Sequence, residues 1–144
     1  MHLDFKILNF EKEYWNDVFT GVLQDYQMGR TPNPDVACNK EIKFKYLLEA
    51  AKKLGANYLA TGHYARLRKN PQGKMELLKA VDPKKDQTYF LTQVSSEAFQ
   101  NVIFPVGHLQ KTEVRQIALE AGLPNAQRKV GFCGSMFCGK EKIQ

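Results

Sequence analysis

Apolar side chains recur along this chain at two different periods, and the changes of period mark out its elements. From Lys12 to Tyr26 the apolar residues Trp15, Val18, Phe19, Val22, Leu23 and Tyr26 fall three or four positions apart, which predicts a helix stopped by Gly29. A second helix is predicted from about Glu41 to Leu54, with Phe44, Leu47, Leu48 and Ala51 turned inward and Gly55 at its end. A third is expected to be capped by Thr112, to run through Val114, Ile117, Ala118 and Ala121, and to stop at Gly122 and Pro124. Between them the period shortens. Lys6-Ile7-Leu8-Asn9-Phe10 reads as a short strand, and Asn57-Tyr58-Leu59-Ala60-Thr61-Gly62-His63 as a buried strand that leaves through a glycine. Arg66-Leu67-Arg68 and Met75 to Ala80 flank Asn70-Pro71-Gln72-Gly73, a hairpin signal. Tyr89-Phe90-Leu91 opens a helical or extended run to Val94, and Ser95-Ser96-Glu97 looks like a helix start. The helix–glycine–strand–glycine series is the output of an α/β layered fold, with no internal repeat and no low-complexity linker.

One segment breaks both periods. Gly29-Arg30-Thr31-Pro32-Asn33-Pro34-Asp35-Val36-Ala37-Cys38-Asn39-Lys40 contains two prolines, each of which fixes φ and removes a backbone donor. Thr31 and Asn33, which precede them, are pushed toward extended geometry. The expected result is a preset, exposed turn, outside any helix interior or central strand, that holds Asn33, Asp35 and Cys38 in a set relation. A plain surface loop followed by an inert buried cysteine is the competing reading.

Composition narrows the class. The 144 residues suffice for a domain with a real core, and 43% hydrophobic with 25% charged residues is ordinary for a soluble chain. The longest apolar runs, such as Val102-Ile103-Phe104-Pro105-Val106, are too short to cross a bilayer, so no membrane partner is expected. The first residues lack a basic region followed by an apolar core, so no secretory signal is read there. A net charge of +6, from 21 basic against 15 acidic residues, favours a polyanionic partner, RNA or DNA first. Three cysteines, Cys38, Cys133 and Cys138, form no even disulfide framework and suit a reducing compartment. Cys133 and Cys138 have poor spacing for zinc and no neighbouring histidine, so no metal site is expected.

Four clusters offer chemistry. Beside Cys38, the carboxylate of Asp35 would oppose thiolate formation, which casts it as a proton acceptor or substrate hydrogen-bond partner. Lys40, Lys43 and the start of the following helix would favour the thiolate. Ala60-Thr61-Gly62-His63-Tyr64 places a glycine and an imidazole at the carboxyl end of a strand, where α/β sheets bind ligands. In Lys84-Lys85-Asp86-Gln87-Thr88-Tyr89-Phe90, Lys85 suits a phosphate, and Asp86 and Gln87 suit base edges or sugar hydroxyls. A solvated polar face and a packed histidine are the bland counterparts of these two. Val130-Gly131-Phe132-Cys133-Gly134 sets a second thiol on an irregular segment, open to thiol exchange or simply a free cysteine in a tail.

Together these stretches resemble the tRNA-specific 2-thiouridylases, the MnmA/TrmU family. The matching residues are Glu13-Tyr14-Trp15, Gly29 to Val36, Cys38-Asn39-Lys40-Glu41-Ile42-Lys43-Phe44, Ala60 to Ala65, Lys85 to Leu91 and Phe104-Pro105-Val106-Gly107. The resemblance covers roughly Phe5 to Lys129. It implies a partial adenine-nucleotide alpha-hydrolase-like domain (a PP-loop ATPase, Rossmann-like) with a parallel sheet and flanking helices over residues 1–128. Residues 129–144 then form an aberrant tail at the second-cysteine region.

The implied activity is ATP-dependent 2-thiolation of the wobble uridine of tRNA through a cysteine persulfide, with Mg²⁺ as the usual counter-ion of ATP. A relay protein would supply the sulfur. By resemblance Cys38 is the nucleophile, Asp35 the acidic residue beside it, and Cys133 the persulfide carrier that later pairs with Cys38 in a disulfide. Asn33, Pro34 and Asp35 meet the target base, Gly62 contacts the nucleotide, and His63, Lys85, Asp86 and Gln87 contact tRNA. A bacterial cytoplasm is the implied location, with the mitochondrion as alternative.

The departures are equally specific. The family's Ser-Gly-Gly-Val-Asp-Ser phosphate loop is not in this sequence, and after Lys129 its Asp-Ser pair is missing. Cys138, in Ser135-Met136-Phe137-Cys138-Gly139-Lys140, competes with Cys133 for the carrier role. The chain is therefore expected to be an internal fragment, or a truncated or frameshifted product, with little thiolation by itself. A non-catalytic basic RNA-binding remnant is the alternative, and a thiol-redox module a third.

Overall fold

The computed structural model describes residues 5–124 and 126. The chain divides into two compact units, one reaching to Gln110 and the other beginning at Lys111.

In the first unit, helix α1 (residues 11–27) consists of α-helical turns Glu11–Tyr14 and Thr20–Gln27 joined by a π-helical turn, Trp15–Phe19. Asn9 caps its start by accepting from the Glu11 amide at 2.8 Å. Gly29, at φ 70°, ends it: its amide donates to Tyr26 O and the Arg30 amide to Asp25 O, the paired bonds of a Schellman motif. Gly55 closes the next helix with the same pair of bonds, to Lys52 O and Ala51 O.

That next helix, α2, spans residues 34–53. It comprises α-helical Pro34–Cys38, a π-helical stretch Asn39–Leu47 and α-helical Leu48–Lys53. It begins seven residues before the predicted start at Glu41. The expected exposed turn ends at Asn33, so Asp35 and Cys38 ride on the helix itself. The reason is positional: Pro34 sits at the first helical position, where an amide hydrogen would have no partner anyway, and the Asn33 side chain caps it by accepting from the Asp35 amide at 3.0 Å. The π turn of α1 packs on the first turns of α2. Tyr46 donates its hydroxyl to Asp17 at 2.6 Å across the pair, and its ring stacks on Phe10.

Two small sheets follow. Strand β1 (Leu59–Ala60) pairs in parallel with β4 (Val102–Ile103), in register Leu59 with Val102. Strands β2 (Ala65–Lys69) and β3 (Met75–Lys79) form the predicted antiparallel hairpin, with Leu67 opposite Leu77. The turn between them is tied by the Asn70 side chain, which accepts from the Lys74 amide. Two strand expectations change. Residues 6–10 pair with nothing among the described residues, and Phe5 and Ile7 are each 83% exposed. Apolar alternation supplies a strand's face but not its ladder partner. The strand at 57–63 shortens to two residues, with Tyr58 and Ala60 exposed.

Short 3-10 turns, Thr88–Leu91 and Ala98–Asn101, carry Leu91 and Phe99 into the core. That core gathers Phe44, Ala65, Leu91, Phe99, Val102 and Phe104. Phe44, Phe99 and Phe104 meet edge to face, with ring centroids 5.9 to 6.0 Å apart, the geometry that sets each ring's positive edge on a negative face. In the second unit, helix α3 (Lys111–Glu120) starts one residue ahead of the expected cap, so Thr112 lies inside it, and Gly122 closes it as predicted.

Candidate active site

Cys38 ends the first α-helical segment of α2 and is buried. Burial pushes its thiol above the usual range, Lys43 pulls it down, and Asp35 pushes it up again; the net direction is up. The expectation that nearby lysines and the helix start would favour the thiolate is therefore outweighed by desolvation, because Cys38 lies more than a turn inside the helix. Asp35, three residues earlier and half-buried, shares the thiol's face. The hydroxyl of Tyr14, on α1, senses the same pair: burial raises its pKa first, then Cys38 and Asp35. Nothing in the sequence links Tyr14 to Cys38, because only the packing of α1 on α2 brings them together.

Asn39 fastens this helix to the rest of the unit. It is buried, and its Nδ2 donates to Phe90 O at 3.0 Å, 51 residues away in sequence. Its Oδ1 has no hydrogen-bond partner among the described residues. The sequence offered only its position beside Cys38.

The second strand-end segment leaves β1 at Thr61. Gly62 is exposed, and a Cβ built there would meet nothing within 4 Å. His63 is half-buried between aromatic rings, 5.6 Å from Phe44 and 5.8 Å from Phe104 by ring centroids. Its Nδ1 lies 2.8 Å from the Thr61 hydroxyl. Burial, with Lys43 adding like-charge repulsion, lowers its pKa from 6.5 to about 4, so the ring is neutral at physiological pH. Phe44 joins α2 to this segment, so the helix that carries Asp35 and Cys38 meets residues 61–63 at that ring.

The 82–88 segment is built differently. The backbone of Asp86 turns its carboxylate inward to accept from the Ala80 amide at 2.6 Å and from both the amide and hydroxyl of Thr88. Burial pushes that carboxyl up, but these hydrogen bonds and nearby Lys79 outweigh it and hold it below the usual range. Gln87 clamps Tyr64: its Oε1 accepts from the Tyr64 amide and its own amide donates to Tyr64 O, each at 2.9 Å. Lys85 alone of the three projects an exposed side chain. Asp86→Ala is expected to destabilise the fold by about 2 kcal/mol, since it strips acceptors from three donors. Urea unfolding at pH 7 checks this; a loss under 0.5 kcal/mol would show the carboxylate to be dispensable to the turn.

Asn33, Pro34, Asp35 and Cys38 thus sit together, with His63 joined to them through Phe44. Lys85, Asp86 and Gln87 reach the same unit by way of Tyr64. Cys133 and Cys138 lie outside the described residues, as does the Cys38–Cys133 pairing. Among the described residues no helix is long and apolar enough to cross a membrane.

A family model described as "tRNA methyl transferase HUP domain" matches residues 1–133. Curated proteins named tRNA-specific 2-thiouridylase MnmA are similar over most of the chain. The protein of Lactiplantibacillus plantarum is 59% identical over 139 residues, 95% of this chain and 36% of its own length. That of Streptococcus uberis is 58% identical over the same extent, and that of Ligilactobacillus salivarius 57% over 128 residues, 88% of this chain and 34% of its own. The chain spans about a third of the length of the curated relatives it matches.

Proposed function

The chain belongs to the tRNA methyl transferase HUP-domain family, α/β in fold with a parallel strand pair and flanking helices, and from that membership we propose that it carries the sulfur-transfer region of a tRNA 2-thiouridylase. The substrate is the wobble uridine of tRNA, the reaction replaces its C2 oxygen with sulfur, and ATP is consumed. The observation that carries this reading is Asp35 and Cys38 on one helix whose Phe44 ring meets His63 from a distant segment, in a chain 55–59% identical to proteins of that name.

Each residue has a task that its environment supports. A uracil carbonyl oxygen is a poor leaving group until ATP converts it to an AMP ester. Gly62, open where a side chain would stand, leaves room for the nucleotide at the end of β1. No group of three or more His, Cys, Asp or Glu that could hold a metal occurs among the described residues, so Mg²⁺ would travel on the triphosphate. Asn33, Pro34 and Asp35 face the target base, the Asn33 oxygen holding the helix start in place. Asp35 accepts a proton or hydrogen bond there. His63, neutral, offers RNA a hydrogen bond and no charge, and Lys85 meets phosphate.

Sulfur arrives as a persulfide on Cys133, with Cys138 the competing carrier. Its terminal sulfur attacks C2 and expels AMP, which leaves C2 linked through two sulfurs to the carrier. The Cys38 thiolate then attacks the carrier sulfur, releases 2-thiouridine and closes a Cys38–Cys133 disulfide. Two electrons and two protons from a thiol reductant reopen it. A sulfur-relay protein loads the carrier, and the reducing cytoplasm of a bacterium suits the cycle.

The test is a chimaera in which residues 5–126 replace their counterparts in the full-length Lactiplantibacillus plantarum relative. With ATP, tRNA and a persulfide donor it is expected to form 2-thiouridine, read by nucleoside mass spectrometry. Cys38→Ser is expected to lower the rate about a thousandfold or more. A folded chimaera that binds tRNA yet transfers no sulfur would sink the reading and favour an RNA-binding remnant. A second chimaera extended to residue 144, with Cys133→Ser and Cys138→Ser variants, assigns the carrier.

A further inference from the structure

The helix that presents Cys38 also carries three lysines within one stretch, Lys40, Lys43 and Lys45, and they are not equivalent. Lys40 pairs with Glu41 at 3.0 Å and Lys45 pairs with the other oxygen of Glu41 at 2.8 Å. Lys43 has no carboxylate partner among the described residues, and it is half-buried while Lys40 and Lys45 are exposed. A half-buried ammonium without a counter-ion is unfavourable unless it faces a group that gains from it.

The helix geometry says which group. In a regular α-helix, with about 100° per residue, Cys38 and Lys43 would point about 140° apart. The Asn39–Leu47 stretch is π-helical, with hydrogen bonds that span five residues and about 4.4 residues per turn, so each step there turns the chain by roughly 80°. Lys43 is therefore turned to roughly 70° from Cys38 and lies between Cys38 and Phe44 around the helix. The next residue, Phe44, meets the His63 ring at 5.6 Å with the two planes tilted by 49°, which places the start of the Lys43 stem beside that contact.

We infer that Lys43 is the positioning cation of the site: the π turn of α2 directs its ammonium to the space between Cys38 and His63, where it supports the attacking thiolate. This rests on the reading of Cys38 as the attacking thiol. The electrostatics agree on both sides. Lys43 is the one cation among the causes that act on the Cys38 thiol, where it opposes burial, and it is the second cause, after burial, of the depressed His63 titration. The groups that face the thiol are Asp35 and Lys43 from its own helix and the Tyr14 hydroxyl from α1. Asp35 disfavours the thiolate, so Lys43 supplies the opposing charge. A buried thiol needs such a cation because the thiolate, and not the thiol, attacks a disulfide.

The test is the pH profile of Cys38 alkylation by iodoacetamide in the full chain, read on the Cys38 peptide by mass spectrometry so that Cys133 and Cys138 do not interfere. Lys43→Met is expected to slow Cys38 alkylation at pH 7.5 about three- to tenfold and to move the midpoint of the profile upward. Lys43→Arg is expected to keep the wild-type profile. In the Met variant, the His63 ring, followed by NMR, is expected to titrate at higher pH than in the wild type.

A lysine with a merely structural role gives a different pattern. If Lys43→Met loosened the helix, water would reach Cys38, and alkylation would speed up with the midpoint falling toward that of an ordinary thiol; that result overturns the inference. So does an unchanged profile. The outcome is independent of sulfur transfer. A chimaera that makes no 2-thiouridine, with the alkylation shift intact, removes the proposed function and with it the attacking role of Cys38, and leaves standing only the effect of the Lys43 charge on the thiol.

Discussion

Replacing Gly107 with alanine is expected to destabilise the first unit by about 4 kcal/mol or more, because among the described glycines this is the one where an added methyl meets backbone. A Cβ at this position would lie 1.6 Å from Ala65 O and 2.6 Å from Ala65 C, far inside van der Waals contact. Both obstacles are backbone, so no rotamer change relieves them. Ala65 opens β2 and is fully buried in the core, while the Gly107 carbonyl accepts from the Val81 amide at 3.0 Å and its amide donates to Phe104 O. The chain cannot retreat on one side without breaking the hairpin end on the other. Urea unfolding followed by far-UV circular dichroism is the measurement. A midpoint within 1 kcal/mol of wild type would mean that the close approach of Gly107 to Ala65 is not a feature of the folded protein. Gly62→Ala is the matched control, since nothing stands within 4 Å of its added methyl, and it is expected to leave stability within about 0.5 kcal/mol. On the proposed function, the same substitution would still hinder nucleotide binding in the chimaera.

Acidification is expected to weaken the fold through one ring. The His63 pKa falls from 6.5 to about 4 on folding, first by burial and then by repulsion from Lys43. The folded chain therefore refuses a proton that the unfolded chain accepts. The His63 contribution is complete above pH 6.5, declines as the pH falls below it, and levels off near pH 4 once the ring is protonated in both states. The shift corresponds to a loss of up to about 3 kcal/mol, trimmed to about 2 by the partial solvent access of the ring. Unfolding measured at steps from pH 7.5 to 4 gives the slope. His63→Gln, which cannot titrate, is expected to flatten that slope between pH 6.5 and 4. Equal slopes in both proteins would show that the ring between Phe44 and Phe104 is not held neutral by its surroundings. The ring contacts with Phe44 and Phe104 are the packing that desolvates the imidazole and keeps it uncharged at neutral pH.

The elements that could be read from the chain are those whose signals are local. Helix α1 and its end at Gly29, the end of α2 at Gly55, the hairpin around Asn70-Pro71-Gln72-Gly73 and the close of α3 at Gly122 each depend on residues a few positions apart. A period, a cap or a turn residue acts within one or two turns of backbone, so its meaning survives without the rest of the molecule. The family motifs were legible for the same reason, being contiguous stretches, and they carried the assignment of the chain.

What the tertiary structure decided depends on contacts between distant residues. The strand expected at 6–10 needed a ladder partner that apolar alternation cannot supply. The start of α2 at Pro34 turned on whether Asn33 would cap, because the same Pro-Asn-Pro run suits a loop or a helix entrance. Asp86 and Gln87 are expected from their polar character to contact RNA, yet in the fold their acceptors close on Ala80, Thr88 and Tyr64. Burial sets the protonation of Cys38 and His63, and burial is a sum over the packing of α1, α2 and the β1 end. The sequence alone therefore determined the family and the candidate residues for its chemistry, while the folded chain determined their charge states and partners, because desolvation and pairing are properties of neighbours that the order of residues does not place side by side.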